Sequence, residues 1–465
     1  MTLAITFILN SLLNFAFGLL IAKFLGPAAF GIYAVAFSLA LLLNSVFTEW
    51  TRHSVVRFYL PPAPNMRQTL DWLLLASMLA MAVVGTLAWW LGGGFGLSLW
   101  LLLATIAAGM FGGSYDYLQA VARIRRDNRA YARLVALRNG LSIPLVVGIA
   151  WQFGDPTLVM SGIAASASLA VVLIWRRLSE APLRSAAPAV ADVSSLARYA
   201  LPLVAASMLY AIMTFLNRWM MAEWFGSAEA GKFAIAADIG FKLLCSTSTV
   251  IELLLLPATI AITEKDGLQA GHKRAALTIV IGLALMAPLT AGYLLTLPAF
   301  EHLLVPDAFR DSFRQYTLFL LPSFMALSLA QACFNVLLII EKKTATAALA
   351  GLLAISVNLI GLLALTWWPN PLTIVIAMSA GFAASLAVVA GAALRIKAAR
   401  PAARDIAIIL LATALMLGAL WPFRTMGSPW LNLPLLAGAG LTLYASMLLA
   451  FNVAGSRGWL LARFR

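Results

Sequence analysis

The sequence predicts an all-α polytopic membrane protein of about fourteen transmembrane helices, arranged as two parallel six-helix repeats followed by two C-terminal helices. Three observations predict it. The chain is 62% hydrophobic and 11% charged, with a mean hydropathy of +0.93, where a soluble domain carries about 25% charged residues. Apolar stretches of about twenty residues, the length that crosses a bilayer as a helix, follow one another almost without a break. A fifteen-residue stretch then recurs 200 positions later. Transmembrane barrel strands would alternate in polarity over about ten residues, and this chain shows no such alternation. Helices remain as the structure that satisfies backbone hydrogen bonds in lipid.

The fourteen predicted segments are, in order, 3–22, 30–50, 70–91, 97–121, 133–152, 157–176, 199–222, 231–256, 275–297, 315–340, 345–367, 372–394, 405–423 and 431–452. Charge in the connections alternates. Of the 32 Lys and Arg residues, 25 fall in one set of connections and at the C-terminus, including Arg123–Arg133 (RIRRDNRAYAR). Five fall in the opposite set: Lys23, Lys232, Arg310, Arg314 and Arg424. Excess Lys and Arg mark the cytoplasmic side, so both termini are expected in the cytoplasm. A missed helix would scramble this alternation. The net charge of +14 then reads as loops facing anionic lipid headgroups rather than as a nucleic-acid surface.

The repeat pairs AKFLGPAAFGIYAVA at 22–36 with AEWFGSAEAGKFAIA at 222–236. Ala22, Gly26, Ala28, Gly31, Ala34 and Ala36 each recur 200 residues on. A second correspondence aligns the basic connection in QAVARIRRDNRAYARLVALRNGLS, from Gln119, with that in NVLLIIEKKTATAALAGLLAISVN, from Asn335. Six spans per half start both halves on the same side, which makes the repeats parallel. Such repeats occur in transporters that hold substrate near the midplane and rock between two open states. The expected division is 1–177 for the N-terminal half, 178–198 for a linker rich in Ala, Pro and Ser, 199–394 for the C-terminal half, and 395–465 for two added helices with a basic tail. Gly26 and Gly226 suit positive φ at helix ends. Gly31 and Gly231 suit close helix approach.

At these residues the chain resembles a known family. AKFLGPAAFGIYAVAFSLALLL, the LGPxxFGxYA pattern within it, and the loop carrying Arg123, Arg125, Arg129, Tyr131 and Ala132 are similar to bacterial polysaccharide transporters. These are flippases for lipid-linked oligosaccharides in the superfamily of MATE multidrug exporters and the lipid II flippase. The resemblance implies transfer of an undecaprenyl-diphosphate-linked oligosaccharide from cytoplasm to periplasm, for O-antigen or exopolysaccharide assembly. It implies a bacterial inner-membrane location, a V-shaped pair of bundles with a hydrophilic central cavity, and work alongside polysaccharide polymerase or export machinery.

Ionisable residues within spans are costly and face cavities or one another. Arg218 lies on segment 7, and Asp238, Lys242 and Glu252 lie on segment 8. At 100° per residue, Lys242 and Glu252 fall about 40° either side of Asp238, which puts the three on one stripe. Arg218 and Lys242 are the expected cations for a diphosphate or acidic sugars. Asp238 would tune them or take part in coupling to a proton or sodium gradient. The competing reading is structural, an Arg218–Asp238 pair and an Asp238–Lys242 i,i+4 pair. In the first half, Arg52 and Asp116 would flank a cytoplasmic opening with Glu49 and Arg57, although snorkelling also accounts for the arginines. Asn10, Asn14, Asn44, Asn217, Asn335 and Asn358 suit bonds across helices better than sugar binding. Pro144, Pro202, Pro257, Pro288 and Pro322 predict kinks.

Other functions fit poorly. The sequence carries no H-E-x-x-H, P-loop or D-x-D motif, and three dispersed histidines, His53, His272 and His302. No enzyme, metal or cofactor is expected, and a membrane polysaccharide polymerase ranks below a transporter. Cys245 and Cys333 read as small core residues. The main alternative is a MATE-type, cation-coupled multidrug exporter, from which the basic intramembrane residues lean away.

Overall fold

The computed structural model describes residues 2–92, 94, 96–180, 190–343, 345–396 and 400–458. The middle of the predicted 178–198 linker with Arg184, and also Lys397, Arg463, Arg465 and the side chains of Asn10 and Asn14, lie outside the described residues. The described residues form helices and no strand. They are α1 (Thr2–Phe47), α2 (Glu49–Phe58), α3 (Pro64–Leu91), α4 (Leu99–Ile124), α5 (Asn128–Phe153), α6 (Pro156–Leu178), α7 (Val190–Phe225) and α8 (Ser227–Asp266). Then follow α9 (Leu268–Leu304), α10 (Arg310–Leu329), α11 (Asn335–Ile340), α12 (Ala345–Leu363), α13 (Pro371–Leu394), α14 (Ala403–Leu420) and α15 (Pro429–Ala450).

Among the described residues, 11 helices are long and apolar enough to cross a membrane. The first contains two predicted segments, divided at Gly26, whose φ of 70° and ψ of 172° are not helical. With α4 and α7 this yields the fourteen predicted spans. Gly226 has the matching φ of +87° between α7 and α8. An L side chain is strained in this region, which explains glycine at both copies. Helix N-termini are closed by side chains: Ser98 accepts from Leu101 N, Asp127 from Ala130 N, and Asp155 from Thr157 N and Leu158 N. Such caps satisfy amides that would otherwise lack partners.

Boundaries differ from hydropathy in a consistent way. α7 starts before the predicted 199, α8 runs past 256 to Asp266, and α9 starts at Leu268 rather than 275. At 1.5 Å per residue, the 40 residues of α8 span about 60 Å, twice the hydrocarbon thickness. Hydropathy reports apolar length, whereas helical hydrogen bonding continues into water. The predicted 30–50 segment instead ends at Phe47, and Glu49 opens the separate amphipathic helix α2. α5, α8, α9 and α10 continue through Pro144, Pro257, Pro288 and Pro322. A π-helical turn, Ala330–Phe334, separates α10 from α11.

The chain divides into two compact units, Ala16–Ala234, and Met1–Phe15 together with Ile235–Arg465. Within the first, α6 packs along both α4 and α5. Small residues make this possible: Ala104, Ala108, Gly109 and Ala120 of α4, and Gly162, Ala164, Ala167 and Ala170 of α6, are buried. Lipid is as apolar as leucine, so close van der Waals packing must hold such helices together. Within the second unit, α13 packs along both α10 and α12. This is the same arrangement one six-span repeat later. α14 and α15 attach to α9 around Ala291, Leu295, Ala412, Met416 and Tyr444, and the Tyr444 hydroxyl donates to Ala284 O at 2.9 Å. Cys245 and Cys333 are buried free thiols.

Candidate functional site

α1 ends, α2 begins and α4 passes beside both. These three elements border a half-open cavity of about 200 Å³ lined by Asn44, Ser45, Thr48, Glu49, Arg52 and Asp116, with Gly113 at its wall. The local sequence builds it. A Cβ on Gly113 would lie 2.1 Å from Thr48 Oγ1, so glycine there lets Thr48 stand against α4. The Thr48 hydroxyl donates to Asn44 O at 2.9 Å and sits 2.5 Å from Asn44 Oδ1. That bond turns the Asn44 amide nitrogen toward Asp116 Oδ2 at 3.3 Å. The i,i+4 spacing of Asn44 and Thr48 places both on one face of the helix.

Glu49 is fully engaged. Its Oε1 accepts from Arg52 Nη2 at 2.8 Å. Its Oε2 accepts from Ser45 Oγ at 2.8 Å and from Ser207 Oγ, on α7, at 3.1 Å. Burial pushes the Glu49 carboxyl up, but the bonds to His53 and Ser45 and the charge on Arg52 outweigh it and hold the group at about 2. Glu49 is therefore an ionised pivot that orients Arg52 and ties α2 to α7. Phe58, at the other end of α2, meets Tyr199 of α7 edge-on at 5.3 Å. Arg52 keeps a third of its side chain exposed. Beside the cavity, the Arg138 guanidinium lies 4.2 Å from the Tyr115 ring centroid.

Of the six residues singled out from sequence, Arg52 and Asp116 line this one cavity. Arg218 is 5% exposed, and its Nη1 donates to Ala34 O of α1 at 3.3 Å. Asp238 and Lys242 are half-buried and Glu252 is exposed, all on α8 in the other compact unit. Ser246 and Thr249, neither buried, fill the same polar stripe between Lys242 and Glu252. Asn44 joins the cavity, unlike Asn217, which is fully buried and donates to Met213 O.

Sequence reasoning misses a second polar cluster. Arg67 reads as a loop charge, yet it is 1% exposed. Its Nε pairs with Asp71 at 3.0 Å, while Nη1 and Nη2 are buried without a hydrogen-bond partner. The rings of Tyr59, Tyr117 and Trp175 surround the guanidinium at 4.9 to 6.0 Å. The Tyr117 hydroxyl donates to Asp71 at 2.6 Å. Tyr59 donates to Glu180, which also accepts from Ala63 N at 3.2 Å. Aromatic residues scattered over 59–175 give no periodic signal of this cage.

No family model matches the sequence, and no curated protein matches it. Solved structures do match. A structure of the lipid II flippase MurJ in an inward closed conformation aligns with TM-score 0.73 and 14% identity, over 97% of this chain and 98% of that one. An inward-facing multidrug-resistance MATE transporter of the MOP superfamily aligns with TM-score 0.60 and 15% identity, over 84% and 95%. This chain has the fold of these two transporter structures. A mutant of the Vibrio cholerae MATE transporter VcmN aligns with TM-score 0.54 and 12% identity, over 84% and 94%. The alignment over 97% of this chain takes in α14 and α15, which lie beyond the twelve spans of the two repeats.

Proposed function

We propose that the protein is a flippase that moves an undecaprenyl-diphosphate-linked oligosaccharide from the cytoplasmic to the periplasmic leaflet of a bacterial inner membrane. It would do so by alternating access, for assembly of a surface polysaccharide such as O-antigen or exopolysaccharide. The observation that carries this reading is the end-to-end likeness to a lipid flippase, α14 and α15 included. The basic, non-buried Lys242 on a polar stripe of α8 supports it, because an ammonium attracts phosphate oxygens. Asp238, one turn away, sets the local charge and serves any proton or sodium coupling. Glu252 and Thr249 continue the path along the helix. Arg218 holds α7 to α1 in this conformation. Both termini lie in the cytoplasm on this reading, and the product passes to a polymerase or export machinery.

A MATE-type drug exporter is the second reading, favoured by the MATE alignments. The test is reconstitution of the purified protein in vesicles with a fluorescent undecaprenyl-diphosphate oligosaccharide. Wild-type protein is expected to redistribute the lipid between leaflets, and Lys242→Ala to slow this about tenfold or more at an unchanged level of folded protein. No redistribution, together with exchange of a small cationic drug for protons or sodium, would replace the flippase with the exporter.

A further inference from the structure

The cavity between α1, α2 and α4 carries chemistry that differs from a phosphate site. We infer that it is a sugar subsite, in which Asp116, Asn44 and Arg52 hydrogen-bond the hydroxyls of the first sugar on the lipid carrier. The inference rests on the flippase reading above.

The argument starts from the groups that remain available. Glu49 has both oxygens engaged by Arg52, Ser45 and Ser207. Thr48 spends its hydroxyl proton on Asn44. Asp116 accepts a single side-chain bond, from Asn44, although a carboxylate has about four acceptor positions. Arg52 uses Nη2 on Glu49 and retains further N–H donors on a side chain that lines the cavity. The cavity thus offers a carboxylate acceptor beside guanidinium and amide donors. A sugar hydroxyl donates and accepts at once, and a pair of adjacent hydroxyls matches this set.

Charge argues against the diphosphate. The cation in the lining, Arg52, is already paired with Glu49 at 2.8 Å, so the lining offers a diphosphate no unpaired positive charge. A metal ion is disfavoured as well. No group of three or more His, Cys, Asp or Glu residues able to hold one is present among the described residues. The Asn44 nitrogen, not its oxygen, faces Asp116. The cavity volume is about 200 Å³. The space is large enough to admit one sugar ring.

The experiment compares two probes in vesicles containing the full-length protein: undecaprenyl diphosphate carrying one N-acetylglucosamine, and undecaprenyl diphosphate alone. The readout is the ratio of their transfer rates, because a site built to bond hydroxyls discriminates against the analogue that lacks them. Wild type is expected to prefer the sugar-bearing lipid. Asp116→Asn and, independently, Asn44→Ala are expected to lower the ratio about tenfold. Lys242→Ala is expected to slow both probes with the ratio held. Folding is checked for each variant by helicity and melting temperature. Two cavity variants of different chemistry keep the test open if one of them fails to fold. A wild type that transfers both probes equally, or an unchanged ratio in folded cavity variants, overturns the sugar subsite and leaves the flippase standing. A wild type that transfers neither probe overturns the flippase itself, and the subsite with it.

Discussion

Gly31 and Gly231 meet each other through the backbone. A Cβ added to Gly31 would lie 1.8 Å from Ser227 O, and one added to Gly231 would lie 2.1 Å from Pro27 O. Pro27 and Ser227 are themselves a pair at the 200-residue offset, so the contact is reciprocal and locally two-fold. Ala34 and Ala234 are buried just beyond it. The repeated motif therefore exists in part to pack against its own copy. Any side chain here displaces backbone rather than a flexible tip, which places the cost in the overpacking range. Gly31→Ala should destabilise the protein by about 1–3 kcal/mol. Gly148→Ala, within α5 and with open space around it, should stabilise by roughly 0.5–1 kcal/mol from helix propensity. Thermal melting of the two variants in one detergent checks both signs. Equal melting temperatures would remove the role given to the glycine contact.

Among the elements, two short features connect longer ones. α2 is ten residues long, too short to span a membrane, yet Glu49 and Phe58 bind it to α7 while its first turn walls the sugar-sized cavity. Through Glu49 and Ser207, α7 is bonded to the wall of that cavity. The Arg67–Asp71 pair of α3 ties to Tyr117 of α4, and Tyr59 and Ala63 hold Glu180 just past α6. Removing one partner of a buried pair strands the other charge, so Arg67→Ala should cost about 3–5 kcal/mol. The Arg67→Ala, Asp71→Ala double variant should recover part of this, and a double-mutant melting series measures the coupling. Additive losses would show that the two charges act separately. In the second unit, His272 of α9 lies 2.6 Å from Glu341, just past α11. The bond to His272, opposed by burial and aided by Lys343, holds the Glu341 carboxyl below the usual carboxylate range.

For the molecule as a whole, the orientation expected from charge has a direct check. A tag placed after residue 465 should react with a membrane-impermeant reagent in inverted vesicles and be protected in intact cells. Reaction in intact cells would overturn the odd–even order of fourteen spans. One packing pattern recurs, α6 on α4 and α5, then α13 on α10 and α12, alongside the repeat in sequence. Packing units and sequence repeats do not share a boundary. α7 belongs to the compact unit Ala16–Ala234, although the six-span count starts the second repeat with it. Helices pack with whatever neighbours fit their surfaces, and a repeat in sequence does not constrain that choice.

Hydropathy and the order of charges were enough to read a helical membrane protein, its fourteen spans and its repeat, because lipid leaves the backbone few options and marks apolar length plainly. The same reading singled out Arg52 and Asp116, which line the cavity, together with Arg218, Asp238, Lys242 and Glu252, which do not. Three-dimensional packing was required for the rest. Asn44 and Asp116 are 72 residues apart, and no periodicity joins them; a glycine at 113 and a hydroxyl at 48 do so by shape. Arg67 reads as a loop charge until Tyr59, Tyr117 and Trp175 fold around it. α2 stayed hidden because its mixed polarity resembles a connection, and its role comes from contacts with α7. Local pattern reports the solvent each segment prefers, whereas a site depends on side chains that meet across long stretches of chain.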